Sequence, residues 1–131
     1  MKGQGILNAQ LIREIAAVGH TQTITIGDAG LPIPQGTKVI DLAVVKGVPT
    51  FVDVLQAVCS ELVVESYVYA VEADTANPEI VKAMRCIMQD MPFQAVPHET
   101  LKEMSRQSNV IIRTGECTSY ANVVLVAGVN F

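Results

Sequence analysis

The sequence predicts an α/β fold: a single three-layer α/β/α domain built on a mixed, mostly parallel sheet. Three observations carry this expectation. Four segments place apolar residues at helical spacing, six short runs between them read as strands, and glycine, proline and asparagine punctuate the boundaries. No internal repeat, low-complexity tract or linker interrupts the order.

Residues 9–18 read as the first helix, with Leu11, Ile15 and Val18 along one face and Ile12 and Ala16 beside them. Asn8 is its expected N-cap, Leu7 and Ile12 its hydrophobic staple, and Gly19 its left-handed stop. Residues 23–27 alternate Thr and Ile, which predicts a half-buried strand delivering Asp28 at its carboxyl end. The following Ala29-Gly30-Leu31-Pro32-Ile33-Pro34 is a stiff loop, and Lys38 to Val45 a second strand. Thr50 and Asp53 are spaced as a capping pair for a helix burying Phe51, Val54, Leu55, Val58 and Leu62. A buried strand spans Ser66 to Val71. Asn77-Pro78-Glu79 opens a helix running to Met91, because proline suits the first turn and glutamate its positive end. A strand at Phe93 to Val96, a helix from Glu99 to Arg106, and strands at Val110 to Arg113 and Tyr120 to Ala127 complete the chain.

Composition narrows the function. Half of the 131 residues are hydrophobic and 17% charged, which describes one globular domain. A mean hydropathy of +0.35 is high for so small an interior, so subunit contacts are expected. The net charge of −4, with no Lys/Arg-rich run, argues against nucleic acid, whose phosphates need clustered cations. A small neutral or cationic ligand, or a sugar, fits better. No apolar stretch reaches the ~20 residues of a membrane-spanning helix, and no apolar signal core follows the first residues, so a cytoplasmic protein is expected. Cys59, Cys86 and Cys117 are an odd set without metal-type spacing, and they read as reduced thiols. The first two fall in helical patterns, in or near the core; the third lies in a turn with no neighbouring cation to activate it.

Familiar catalytic motifs are missing: the sequence has no glycine-rich phosphate loop, no helical histidine pair for a metal and no serine elbow. Cofactor-free, metal-free chemistry on a small molecule is therefore expected. His20 and Asp28 flank one short strand and form a candidate acid/base pair, imidazole being able to give or take a proton at neutral pH. A helix-capping role explains His20 equally well from position alone, and a turn-capping role explains Asp28. His98 opens a helix, where the dipole favours the neutral ring, and Lys102 follows one turn later. Near the carboxyl end, residues 113–122 are dense in polar side chains. On a strand, Tyr120 and Asn122 would face one side and offer a hydroxyl and an amide to one sugar; an ordinary hairpin turn is the alternative.

Several separated motifs, in order, resemble the ribose and fucose mutarotase family over essentially the whole chain: Gly5-Ile6-Leu7-Asn8, Val18-Gly19-His20, Asp28-Ala29-Gly30-Leu31-Pro32-Ile33-Pro34, Gly47-Val48-Pro49, Arg113-Thr114-Gly115-Glu116, Tyr120-Ala121-Asn122 and Ala127-Gly128-Val129-Asn130-Phe131. The Asp-Ala-Gly-Leu-Pro form is similar to the ribose branch. Ser119 departs from the proline that relatives often carry before the tyrosine, which leaves that loop less rigid. The resemblance implies interconversion of the β-pyranose and β-furanose forms of D-ribose without a cofactor. It also implies His20 as proton donor, with Asp28, His98, Tyr120, Ala121 and Asn122 holding the sugar. Relatives assemble as stacked rings, decamers or similar oligomers, with sites where neighbouring subunits meet. A fucose or other sugar mutarotase, and a non-catalytic ribose-binding accessory of an uptake system, use the same residue types and remain alternatives.

Overall fold

The computed structural model describes all residues, 1–131. Its elements run α1 (Ala9–Ala17), β1 (Thr23–Gly27), β2 (Val39–Asp41), α2 (Phe51–Cys59), β3 (Val64–Ala70), α3 (Ala73–Ala76), α4 (Pro78–Met88), β4 (Phe93–Val96), α5 (His98–Ser105), β5 (Val110–Arg113) and β6 (Val123–Ala127). All strands join one sheet in the order β2-β5-β1-β6-β3-β4. β1 pairs parallel with β5, β5 with β2, and β3 with β4, while β6 runs antiparallel to both β1 and β3. The sheet is therefore mixed and mostly parallel, with β6 alone reversed.

Both faces are covered, and for that reason the central strands read as nearly continuous apolar runs. One face packs Ile24, Ile26, Ile112 and Leu125 against Leu11 and Ile15 of α1, Phe51, Leu55 and Val58 of α2, and Met84 of α4. The other packs Val68, Ala70 and Val124 against Leu101 of α5. Each such large side chain contributes about 1.5–3 kcal/mol of burial. Thr25 points into the buried second face, where its hydroxyl lies 2.6 Å from that of Ser108, so its polar group is satisfied.

Local signals that rest on a side-chain cap are realised. Asn8 accepts from the Leu11 N–H, and Thr50 and Asp53 form a reciprocal capping box. Other expectations need correction. α1 ends with Val18 in an extended conformation rather than with a left-handed Gly19, and the positive φ falls on Thr21 (67°). Leu7 is 73% exposed and staples nothing. β2 has three residues only. The chain then leaves the sheet, and Val45 bridges back to Val48. α4 stops at Met88, where Gln89 turns to φ 35°, and α3 is a single extra turn too short to show a period. Cys86 is exposed on the outer side of α4, whereas Cys59 is partly buried and desolvation pushes its thiol up to about 11. No helix is long and apolar enough to cross a membrane.

Candidate functional site

Three parallel strands end together at Gly27, Asp41 and Arg113, and the loops beyond them carry most of the polar residues. Ligands collect outside the carboxyl ends of strands in such sheets. Gly27 is required by close approach, since a Cβ there would meet the Leu31 side chain at 2.5 Å and Asn122 Oδ1 at 3.0 Å. That space brings the Asn122 side chain onto Asp28. Asn122 Oδ1 accepts from the Asp28 backbone N–H (2.9 Å), and Asn122 Nδ2 donates to Asp28 Oδ2 (3.0 Å). The other carboxylate oxygen accepts from the Gly30 N–H at 2.8 Å, so the Asp28 carboxylate is oriented from two sides. Arg113 ties the same loop down by donating to the Ala29 carbonyl while gripping Asp41.

Tyr120, Ala121 and Asn122 precede β6 instead of belonging to it. Tyr120 sits at φ 58°, a left-handed conformation that a strand does not allow, so the strand alternation expected for Tyr120 and Asn122 does not apply. The turn separates their tasks: Ala121 and Asn122 are fully buried, while Tyr120 stays partly exposed and meets the His98 ring edge-on at 5.1 Å between centroids. His98 begins α5, and its backbone N–H donates to both carboxylate oxygens of Glu72 (3.1 and 2.9 Å). These backbone donors, His98 first and then Glu72's own N–H, hold the Glu72 carboxyl below its ordinary range. The His98 Nδ1 atom is buried without a hydrogen-bond partner. An unsatisfied buried nitrogen costs about 1–3 kcal/mol, and a ligand hydroxyl would relieve it.

The acid/base pair read from the sequence does not form within one chain. His20 precedes β1 and Asp28 follows it, and five extended residues at ~3.3 Å each hold them at opposite ends of the strand. His20 does not cap α1 either; its Nε2 lies 3.0 Å from Glu65 Oε2. Lys102 pairs with Glu99 on α5.

Residues not singled out in the sequence complete the site. Asn77, at the start of α4, turns its amide to Thr118 Oγ1 and the Ser119 carbonyl, both at 2.9 Å. Thr118 donates to Glu116, whose other oxygen accepts from the Phe51 N–H at the start of α2. This chain of contacts braces the loop before Tyr120 at two helix starts. Glu116 belongs to the Arg113-Thr114-Gly115-Glu116 motif and Asn77 to a helix-start signal, while Glu72 has no local signal. The cleft beside the loop, ≈ 340 Å³, is lined by Asp28, Gly30, Glu116, Thr118 and Ser119 among others. A larger depression of ≈ 500 Å³ along α4 contains none of the predicted residues. No three His, Cys, Asp or Glu side chains gather as metal ligands.

A carboxylate, an amide, a phenol and an imidazole with a free nitrogen are groups that can hydrogen-bond a small polyhydroxylated molecule. The chain belongs to the RbsD / FucU transport protein family, whose model matches residues 1–130. It is 53% identical over its full length to the D-ribose pyranase of Geobacillus thermodenitrificans, of which 99% is covered. It is 50% identical to that of Exiguobacterium sibiricum, with both chains covered completely. Among solved structures, Bacillus subtilis RbsD complexed with D-ribose superposes with a TM-score of 0.96 at 40% identity, both chains fully covered. The fucose mutarotase of Streptococcus pneumoniae, in complex with L-fucose, shares the fold at TM-score 0.76 and 21% identity over 95% of each chain.

Proposed function

We propose that this protein is an isomerase interconverting the β-pyranose and β-furanose forms of D-ribose, in the service of ribose catabolism. The observation that carries this reading is the full-length match, at 40% identity and TM-score 0.96, to a chain complexed with D-ribose, supported by the run of relatives that are D-ribose pyranases. Changing ring size requires the hemiacetal to open, the chain to rotate and another hydroxyl to close on the aldehyde. No redox step is involved. In opening, His20 protonates the ring oxygen as its bond to the anomeric carbon breaks, and the anomeric hydroxyl releases its proton to water. Asp28, His98, Tyr120 and Asn122 hold the sugar hydroxyls, with the Ala121 backbone between them. General acid/base assistance of ~10²–10⁴-fold suffices for a reaction that already proceeds in water.

Because His20 stands at the far end of β1 from Asp28, each complete site takes His20 from a neighbouring copy. A ring-based homo-oligomer, a decamer of stacked rings, meets that need. Its support is the apolar surface that one chain leaves exposed, including Val44, Val45 and Val48 at 76%, 62% and 51%. Free Cys86 and Cys117 on the surface fit a reducing cytoplasm. Apart from copies of itself the protein needs only the free sugar, with no cofactor, metal, nucleic acid or membrane partner, and its 131 residues work as a single domain. Magnetisation transfer between the pyranose and furanose anomeric signals of D-ribose tests the reading. Catalytic amounts of protein should accelerate the exchange; ribose binding with an unchanged exchange rate would identify an accessory protein instead.

A further inference from the structure

The His20 imidazole is held by structure that neither helix capping nor the sheet explains. Thr21, at φ 67°, donates its N–H to the Ala127 carbonyl, and the Ala127 N–H returns to the Gln22 carbonyl, which fastens the loop to the end of β6. The Gln22 side chain accepts from the Gly19 N–H (2.7 Å) and from Asn109 Nδ2 (3.0 Å), closing the loop around His20. Opposite this loop, the β3·β6 pairing slips by one residue: Val64 pairs with Ala127 but Ser66 with Val126, so Glu65 is the extra residue of a bulge. Bulges re-aim a side chain that regular pairing would send elsewhere. Here the re-aimed carboxylate reaches His20, with Oε2 3.0 Å from Nε2. Gly128 leaves room for it, because a Cβ there would press on Glu65 Cβ at 3.1 Å and Val63 Cγ1 at 3.3 Å.

We infer that Glu65 is a positioning residue for the ring-opening reaction: it accepts the Nε2–H of His20, fixes the ring, and leaves Nδ1 as the atom that exchanges a proton with the sugar. This rests on the isomerase reading and adds the atom and the partner to it. A carboxylate accepts only, so the ring nitrogen facing it must carry the proton. The neutral ring is then the Nε2–H tautomer, whose lone pair is on Nδ1. In the charged ring Nδ1–H is the donor, and after transfer to the ring oxygen the imidazole relaxes into the tautomer Glu65 already holds. The ring does not have to rotate between ring opening and reclosure. The logic is that of any histidine oriented by an acid. Stability does not account for the pair, since both side chains are about half exposed and such ion pairs contribute little.

Imidazole ¹⁵N NMR on the intact, histidine-labelled oligomer tests this directly, with His20 signals assigned by their loss in H20A. With the ring neutral, His20 should show a protonated Nε2 and a bare Nδ1. In Glu65→Ala the two tautomers should mix and kcat for ring-form exchange should fall by at least ~10-fold, with KM for D-ribose unchanged; a buried orienting acid reaches ~10⁴. Glu65→Gln can turn either its amide oxygen or its amide N–H to the ring, so it too should lose the fixed tautomer and kcat with it, as an acid-to-amide exchange does at other histidines oriented by an acid. A protonated Nδ1 in the unsubstituted protein, or E65A with unchanged kcat, would overturn the assignment. If the unsubstituted protein fails to accelerate exchange at all, the isomerase reading falls, while the tautomer measurement still decides the contact between Glu65 and His20.

Discussion

The two ends of β1 are built for different work. At the carboxyl end, Asn122 is fully buried, binds Asp28 through two hydrogen bonds and shares its turn with Tyr120. At the amino end, His20 and Glu65 meet on the surface, with half of the His20 side chain exposed. The first end is a cradle in which the Asp28 and Asn122 side chains already partner each other, while the buried His98 Nδ1 has no partner. The second is a titratable group on a braced loop, open on the side where a neighbouring copy would bring a sugar. Binding geometry tolerates burial because amide and carboxylate partner each other, whereas a proton donor needs an unblocked nitrogen. On the proposed reading, the same strand separates recognition from chemistry, and assembly would reunite them.

The contrast breaks most sharply at His20. His20→Ala should lower pyranose–furanose exchange by ~10²–10⁴-fold while ribose still binds, read by magnetisation transfer beside calorimetry. Loss of binding together with activity would place recognition at the wrong end. Mixing tests the reunion: H20A and D28A chains, each inactive, should regain roughly a quarter of full activity after joint unfolding and reassembly in equal amounts, because random neighbours complete that share of sites. No recovery would mean that each chain holds its own site.

Removing Asn122 sharpens the cradle's side. Asn122→Ala leaves the Asp28 N–H without its partner, so denaturant titration should show a loss of about 1–3 kcal/mol, and KM should rise more than kcat falls. The smallest effect concerns Glu72. Its folded carboxyl is held below the ordinary 4.5 by the His98 N–H and its own, so its contribution is fully present above that value and is lost as pH falls through the lowered one. The stability difference between the unsubstituted protein and Glu72→Gln should therefore be constant near neutrality and shrink only in acid below 4.5. A difference that instead changes around pH 7 would show that the Glu72 carboxyl is not the group responsible.

Legibility in the sequence followed the range of the interaction. Asn8 and the Thr50–Asp53 box act across three residues, and Val110 to Arg113 is a short apolar run bounded by polar residues, so each is read correctly. Tyr120 defeats the reading because its left-handed turn follows from Asn122 reaching Asp28 across 94 residues, which no local period reports. Asn77 is a fair helix cap by position, yet a loop 41 residues away claims its amide. The motif resemblance named His20, Asp28, His98, Tyr120, Ala121 and Asn122, but that His20 and Asp28 stand at opposite ends of β1 could not be read from it.

By itself the sequence determined the alternation of helix and strand, the candidate groups and the kinship, because periodicity, capping and motifs are written in neighbouring residues. Only the tertiary structure decided which groups meet. It placed Asn122 on Asp28, Glu72 on His98 and a bulged Glu65 on His20, because hydrogen-bond partners 94, 26 and 45 residues apart are chosen by strand order and register.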